Sequence, residues 1–182
     1  YYTYHVRNAV LCEKFSGTSE TTFSPDSPLT RGMFVTAFGR LAGINPADYQ
    51  NRAFTDVKAD ACYAPYVNWA AKTGIVDGIT STTFAPDSNI TRAQMAVILK
   101  NYADKMGYPI PKTLEAVTLA DNAKISFWAK DAVKAMQQAG ILSGKANNLF
   151  DPNGNATRAE AVTVLHRFVE TIIDPQTANG WT

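Results

Sequence analysis

Only two cysteines, Cys12 and Cys62, occur in the 182 residues. Two cysteines supply neither a disulfide framework nor a metal-ligand spacing. Each falls in a helical pattern and is expected to act as a small apolar filler. Histidine is as scarce. His5 and His166 belong to different parts of the chain, with no convergent ligands at metal spacing. There is no Ser-His-Asp set, no glycine loop to cradle a phosphate and no carboxylate pair of the glycosidase kind. The chain is therefore expected to be no enzyme, and to need no cofactor and no metal. Charge of one sign is missing too. A net charge of +1 gives no basic face for nucleic acid. No apolar run approaches the roughly 18 residues of a membrane helix, so no membrane partner is expected. The sequence shows no leader pattern and starts at Tyr1 rather than Met, so it is expected to be an excised part of a longer chain in which that lack carries no information.

What the chain does have is a repeat. Phe84-Ala85-Pro86-Asp87-Ser88-Asn89-Ile90-Thr91-Arg92-Ala93-Gln94 has a counterpart from Phe23 to Met33 and another from Phe150 to Glu160. The arginines Arg31, Arg92 and Arg158 lie 61 and 66 residues apart, and the phenylalanines keep the same offsets. A repeat at this period decides the architecture before any other feature does. Pro followed by Asp or Asn, behind an aromatic residue, signals a turn. The Thr that follows stands at a helix N-cap. Gln94 and Glu160 complete a capping box in copies two and three, whereas Met33 leaves copy one half a box. Behind each cap runs an apolar stripe at i, i+3, i+4, i+7. The stripes are Phe34, Ala37, Phe38, Leu41; then Met95, Ile98, Leu99, Tyr102; then Ala161, Val164, Leu165, Phe168.

The first halves of the copies align as well. Trp128, Cys62 and Tyr1 each stand twelve residues before Gly140, Gly74 and Glu13. Gly74 and Gly140 read as left-handed helix caps, which Glu13 cannot match without distorting the turn or lengthening the helix. Gly17, Gly78 and Gly144 persist in all three copies. The pattern is helix–loop–helix three times, with little strand. Helices are expected over 1–14, from about Thr30 to Leu41, Tyr63 to Thr73, Thr91 to near Gly107, Ser126 to Ala139, and from Thr157 to about Ile173, where Pro175 stops the last. Copies span 1–44, 45–107 and 108–174, with a tail at 175–182. Trp69 is expected in the core or in packing between repeats.

The arginine after each cap is locally unfavourable. The helix dipole is positive there and disfavours a cation by roughly 0.3–1 kcal/mol. Two uses follow. A guanidinium beside free helix N–H groups can receive a carboxylate or phosphate. Alternatively, each Arg pairs with an acid of a neighbouring copy.

The chain resembles three tandem S-layer homology repeats. The residues that carry the resemblance are Phe54-Thr55-Asp56-Val57, Trp128-Ala129, the Gly-Ile-x-x-Gly loops, the Phe-x-Pro-Asp turns and Thr157-Arg158-Ala159-Glu160, with Thr91 to Gln94 and Thr30 to Met33 as looser versions. The resemblance covers about residues 1–173. It implies an all-α, pseudo-threefold helical bundle with grooves between repeats. It also implies an extracellular, non-covalent anchor for a larger protein on a bacterial cell-wall polysaccharide, often one bearing pyruvylated sugars. By matching position it puts Arg31, Arg92 and Arg158 against the anionic sugar. Trp128 and Tyr1 are further glycan candidates, against a packing role. Cys62 cannot stack, so its groove is expected to be weakened. Asp56 and Asp121 are glycan candidates against a helix-cap role, and Gly74 and Gly140 would let a ligand approach the backbone. Glu13 adds negative charge near an anion site, so the groove beside it is expected to be the poorest. The triad is expected to be monomeric within its larger chain. The competing expectation is a protein–protein assembly module of a surface layer, with the arginines in structural ion pairs and a contiguous exposed apolar patch.

Overall fold

A computed structural model describes residues 24–175. The helix expected over 1–14, with Tyr1, His5, Cys12 and Glu13, lies outside the described residues, as do Gly17, Phe23 and the tail from 176. The described residues form helices joined by turns and isolated bridges, with no β-strand among them, so the fold class is all-α. They fall into two compact units. The first runs to Ile90 and includes Thr157–Val162; the second is Thr91–Ala156 with the residues from Thr163 on.

In the first unit, α1 (Arg31–Leu41) packs on α2 (Ala64–Lys72). Thr30 caps α1 as expected, its hydroxyl accepting Met33 N–H at 3.2 Å. Phe34, Ala37 and Phe38 of the stripe are buried, while Leu41 in the last turn is half-buried. Phe34 stacks on Phe38 at 6.2 Å, and Phe38 meets Trp69 of α2 at 6.4 Å, so Trp69 is core as expected. The two helices approach closely at Gly39, where a Cβ would lie 2.6 Å from Tyr66 Cδ1. Buried Asn68 ties down the preceding linker, donating to Tyr49 O at 3.0 Å and accepting Ala53 N–H at 3.1 Å. Cys62 is not a core filler. It is exposed on the turn ahead of α2, because the helix begins only at Ala64.

In the second unit, α3 (Arg92–Met106) opens on the complete Thr91–Gln94 capping box and ends at left-handed Gly107. Its stripe Met95, Ile98, Leu99, Tyr102 is buried. The segment after Gly107 is laced to α4 (Lys130–Gln138): Thr113 and Leu114 N–H donate to Gln138 O, and Gln137 Nε2 donates to Glu115 O. The helix expected from Ser126 starts instead as a 3-10 turn, Phe127–Ala129, and only then becomes α4. Ala132, Val133 and Met136 of α4 face α3 and are buried. The last helix, α5 (Arg158–Phe168), starts within the first unit and ends in the second; it has a capping box between Thr157 and Glu160 and buries Ala161, Val164, Leu165 and Phe168. A π-helical turn, Val169–Ile173, finishes it ahead of Pro175.

Candidate functional site

The Phe-x-Pro turns share a feature that turn chemistry alone does not announce. The residue between Phe and Pro has positive φ in every copy: 51° at Ser24, 58° at Ala85 and 58° at Asp151. Non-glycine residues adopt this region only when something holds them there. In two copies the holder is the Asp of the opening motif. Asp56 Oδ1 accepts Phe84 N–H at 2.9 Å and Oδ2 accepts Ala85 N–H at 2.7 Å. Asp121 does the same for Phe150 N–H at 2.8 Å and Asp151 N–H at 2.7 Å. Neither Asp caps a helix, because each spends both oxygens on a turn nearly thirty residues ahead. Burial opposes the charge on each carboxylate. The bonds from Phe84 and Ala85, and from Phe150 and Asp151, outweigh it and hold both carboxyls below their ordinary value.

Those turns also cap the motif helices. Arg31 and Gly32 N–H donate to Ser88 O and Pro86 O at 2.9 and 2.8 Å. Arg92 and Ala93 N–H donate to Gly154 O and Pro152 O at 3.1 and 3.0 Å, and Arg158 and Ala159 N–H to Ser27 O and Pro25 O, both at 3.0 Å. The helix N–H groups expected to be free for an anion are therefore occupied by carbonyls. The side chains follow suit. Arg31 Nε donates to Phe84 O at 2.9 Å and Nη2 to Asp77 O at 3.3 Å, with its guanidinium 4.5 Å from the centre of the Phe84 ring. Arg92 Nε donates to Phe150 O at 2.8 Å and Nη2 to Ser143 O at 2.7 Å, with the guanidinium 5.0 Å from the Phe150 ring centre. Arg158 is 2% exposed.

The cation at the first helical position is thereby explained. Each bond from a charged donor contributes about 1.5–3 kcal/mol and each ring face about 0.5–2, which exceeds the dipole penalty. The bonds identified for Arg31 and Arg92 run to backbone carbonyls of the next copy. The expected pairing with an acid appears for Arg31 only as the field of Asp56. Burial lowers the pKa of Arg31, with Asp56 opposing, and lowers that of Arg158; a guanidinium stays a cation regardless. Among the described residues Nη1 of Arg31 has no hydrogen-bond partner, and none of their buried side-chain nitrogens lacks one, so this edge is not sealed although Arg31 is only 5% exposed.

The surroundings of the two arginines differ. Tyr63 stands beside Gly32, next to Arg31. Burial first, then the charge of Asp87 and more weakly those of Cys62, Asp56 and Asp60, push the Tyr63 hydroxyl pKa up. Beside Arg92, the Ser143 hydroxyl accepts from Arg167 Nη1 at 3.3 Å. Lys145 pairs with Asp151 at 2.7 Å at the edge of a ≈ 250 Å³ cavity that Lys124 also lines. Gly74 and Gly140 have φ of 72° and 73°, and Ile75 and Ile141 N–H reach back to Ala70 O and Met136 O at 2.8 and 2.9 Å. These are the expected left-handed caps. Trp128 is 57% exposed and Phe127 93% exposed. Sequence reasoning named Trp128 but missed Phe127, Tyr63, Ser143 and Arg167. Phe127 could have been found, since a helix start seldom buries two successive aromatics. The other three carry no signal in their residue type. Among the described residues no group of His, Cys, Asp and Glu is placed to hold a metal ion.

The family model described as "S-layer homology domain" matches residues 53–96 and 123–162, inside the second and third copies. The chain is 33% identical over 85% of its length to an amylopullulanase of Thermoanaerobacterium thermosulfurigenes, spanning 8% of that protein. It is 32% identical over 85% of its length to exoglucanase XynX of Acetivibrio thermocellus, spanning 14% of it. It is 24% identical over 81% of its length to a cellulosome-anchoring protein of Acetivibrio thermocellus, spanning 33% of it. The chain thus spans a third or less of each of these relatives.

Proposed function

We propose that this chain, which belongs to the S-layer homology domain family, is a non-catalytic anchor that holds a larger exported protein at the bacterial cell surface by binding an anionic cell-wall polysaccharide. One observation carries the reading. The same stretch of about 150 residues is shared with proteins named for two different glycan-degrading activities and with one named for anchoring. A segment common to such different bodies is not the seat of either activity, and attachment is a task that all three can share.

In this proposal the binding grooves lie beside Arg31, Arg92 and Arg158, with Trp128 as a sugar-facing ring, and a pyruvyl carboxylate supplies the anion. That Nη1 of Arg31 is left without a partner among the described residues supports a guanidinium that holds its own scaffold with one side and a ligand with the other. The proposal takes the copies, at 1–44, 45–107 and 108–174, as one self-contained pseudo-threefold bundle, monomeric within its larger chain. It is supported by helix starts bonded to the turn of another copy in all three cases. The test is a calorimetric titration of the purified chain with solubilised wall polysaccharide, before and after mild-acid removal of its ketals. Saturable binding lost on ketal removal is expected; no binding before removal would refute the anchor. A second reading, assembly with other proteins of a surface layer, draws on the exposed Phe127–Trp128 pair. It expects self-association in sedimentation without any polysaccharide.

A further inference from the structure

We propose that Asn153 is a site of spontaneous deamidation, and that its isoaspartyl product unlatches the start of α3. The inference is independent of what the chain binds.

Asn153 is exposed, and it is the one asparagine among the described residues that a glycine follows. That glycine is required by its neighbours. A Cβ on Gly154 would overlap the carboxylate of Asp151, which Lys145 Nζ holds at 2.7 Å. The other two copies have no carboxylate there. Ser24 and Ala85 stand in the place of Asp151, and Ser27 and Ser88 in the place of Gly154. The ion pair of the third copy thus comes with a glycine. The residue before that glycine is Asn153, where the other copies have Asp26 and Asp87.

The chemistry needs only water. The backbone nitrogen of Gly154 gives up its proton and attacks Cγ of Asn153. A C–N bond forms, the side-chain nitrogen leaves as ammonia, and a succinimide ring closes. With no Cβ on the following residue, that ring meets no side chain. Water then opens the ring at either carbonyl, which leaves an aspartate or an isoaspartate. The turn sets the pace. Gly154 N–H donates to Asp151 O at 3.0 Å, and Asp121 Oδ2 accepts Asp151 N–H at 2.7 Å. The nitrogen is freed when this turn opens, so the step runs through local opening.

The two products differ in consequence. An aspartate restores the residue that copies one and two carry in the same turn, where Ser27 and Ser88 N–H make the bond that Gly154 makes, at 3.1 and 3.2 Å. An isoaspartate routes the main chain through Cβ and Cγ, and so adds a backbone carbon between Pro152 O and Gly154 O. Those carbonyls accept Ala93 and Arg92 N–H at 3.0 and 3.1 Å, at the start of α3. The added carbon pulls the two acceptors out of register. The Thr91–Gln94 box is untouched, so α3 frays at its first turn and does not melt.

The test ages the whole chain for weeks in warm, neutral buffer. Beside wild type stand Asn153→Gln, whose longer side chain closes the ring poorly, and Asp121→Asn, which loosens the turn. Tryptic peptide mapping follows the mass gain of an amide turned acid at each asparagine. It separates Asn153 from Asn179-Gly180, which lies outside the described residues. Asn153 is expected to convert about tenfold faster than Asn89 or Asn155, which precede residues with a Cβ. Conversion in Asp121→Asn is expected to be faster than in wild type by about fivefold or more. Aged wild type is expected to lose about 2–4 °C of thermal midpoint, the scale of a lost helix cap in a chain of this size. Fresh Asn153→Asp and aged Asn153→Gln are expected to keep the midpoint of fresh wild type. Conversion of Asn153 no faster than that of Asn89 overturns the site. Equal rates in wild type and Asp121→Asn overturn the gating by the turn. An unchanged midpoint in converted wild type, or an equal loss in aged Asn153→Gln, overturns the unlatching.

Discussion

Asp121 shows how one side chain sets a turn it does not belong to. It holds Phe150 and Asp151 N–H, and so keeps Asp151 at φ 58°. Replacing it by Asn turns one acceptor into a donor facing an N–H. At pH 7, Asp121→Asn is expected to cost about 1–3 kcal/mol in urea unfolding. The pH dependence follows from the lowered pKa of Asp121. A carboxyl held below its ordinary value contributes its stability in full above that value, about 3.9, and loses it as pH falls through the folded pKa. The gap between wild type and Asp121→Asn should therefore close below about pH 4; a gap independent of pH would contradict the clamp. The arginines teach a related lesson. Their recurrence at an unfavourable position was legible in the sequence, but their partners were not, because Phe84 O and Phe150 O are backbone atoms that carry no residue signature. Lys cannot present the planar fork to two carbonyls, so Arg31→Lys is expected to lower stability by about 1–3 kcal/mol while keeping the charge. An unchanged urea midpoint would show that those carbonyl bonds contribute nothing.

Helices were the most legible elements, since stripe and cap are encoded within a few residues. The Thr91–Gln94 box and the buried Met95, Ile98, Leu99, Tyr102 face came out as the spacing required. Helix starts were less legible where no cap residue stands. Neither α2 nor α4 has a side-chain cap bond; α2 begins within a residue of the expected Tyr63, whereas α4 begins at Lys130, four residues after Ser126, and Cys62 and Trp128 lie on exposed turns. Packing between elements was not legible at Gly39, which reads as a poor helix residue until Tyr66 of α2 is seen against it. Gly39→Ala, which would improve an isolated helix, is expected here to destabilise by about 1–3 kcal/mol, because the added methyl meets a ring within a packed pair. A rise in the thermal midpoint would show that α1 and α2 can separate at no cost.

At the scale of the whole molecule, a net charge of +1 hides an uneven distribution, with Asp87, Asp56 and Asp60 around Tyr63 and the guanidiniums of Arg92 and Arg167 at Ser143. Binding that depends on a few guanidinium contacts should weaken as salt rises from about 0.1 to 0.5 M, yet only partly, since half-buried pairs are screened less than exposed ones. The repeat order announced the family, but single differences between copies, such as Asp77 against Ser143 at matching places, are ones that a shared motif conceals. The most direct measurement is co-sedimentation of the purified chain with walls of a Gram-positive bacterium that displays proteins of this family. Intact walls are run beside walls stripped of their secondary polysaccharide and walls whose pyruvyl ketals have been removed by mild acid. Sedimentation with intact walls alone is the outcome expected of an anchor that reads a ketal carboxylate. Equal sedimentation with all three, or with none, would contradict it.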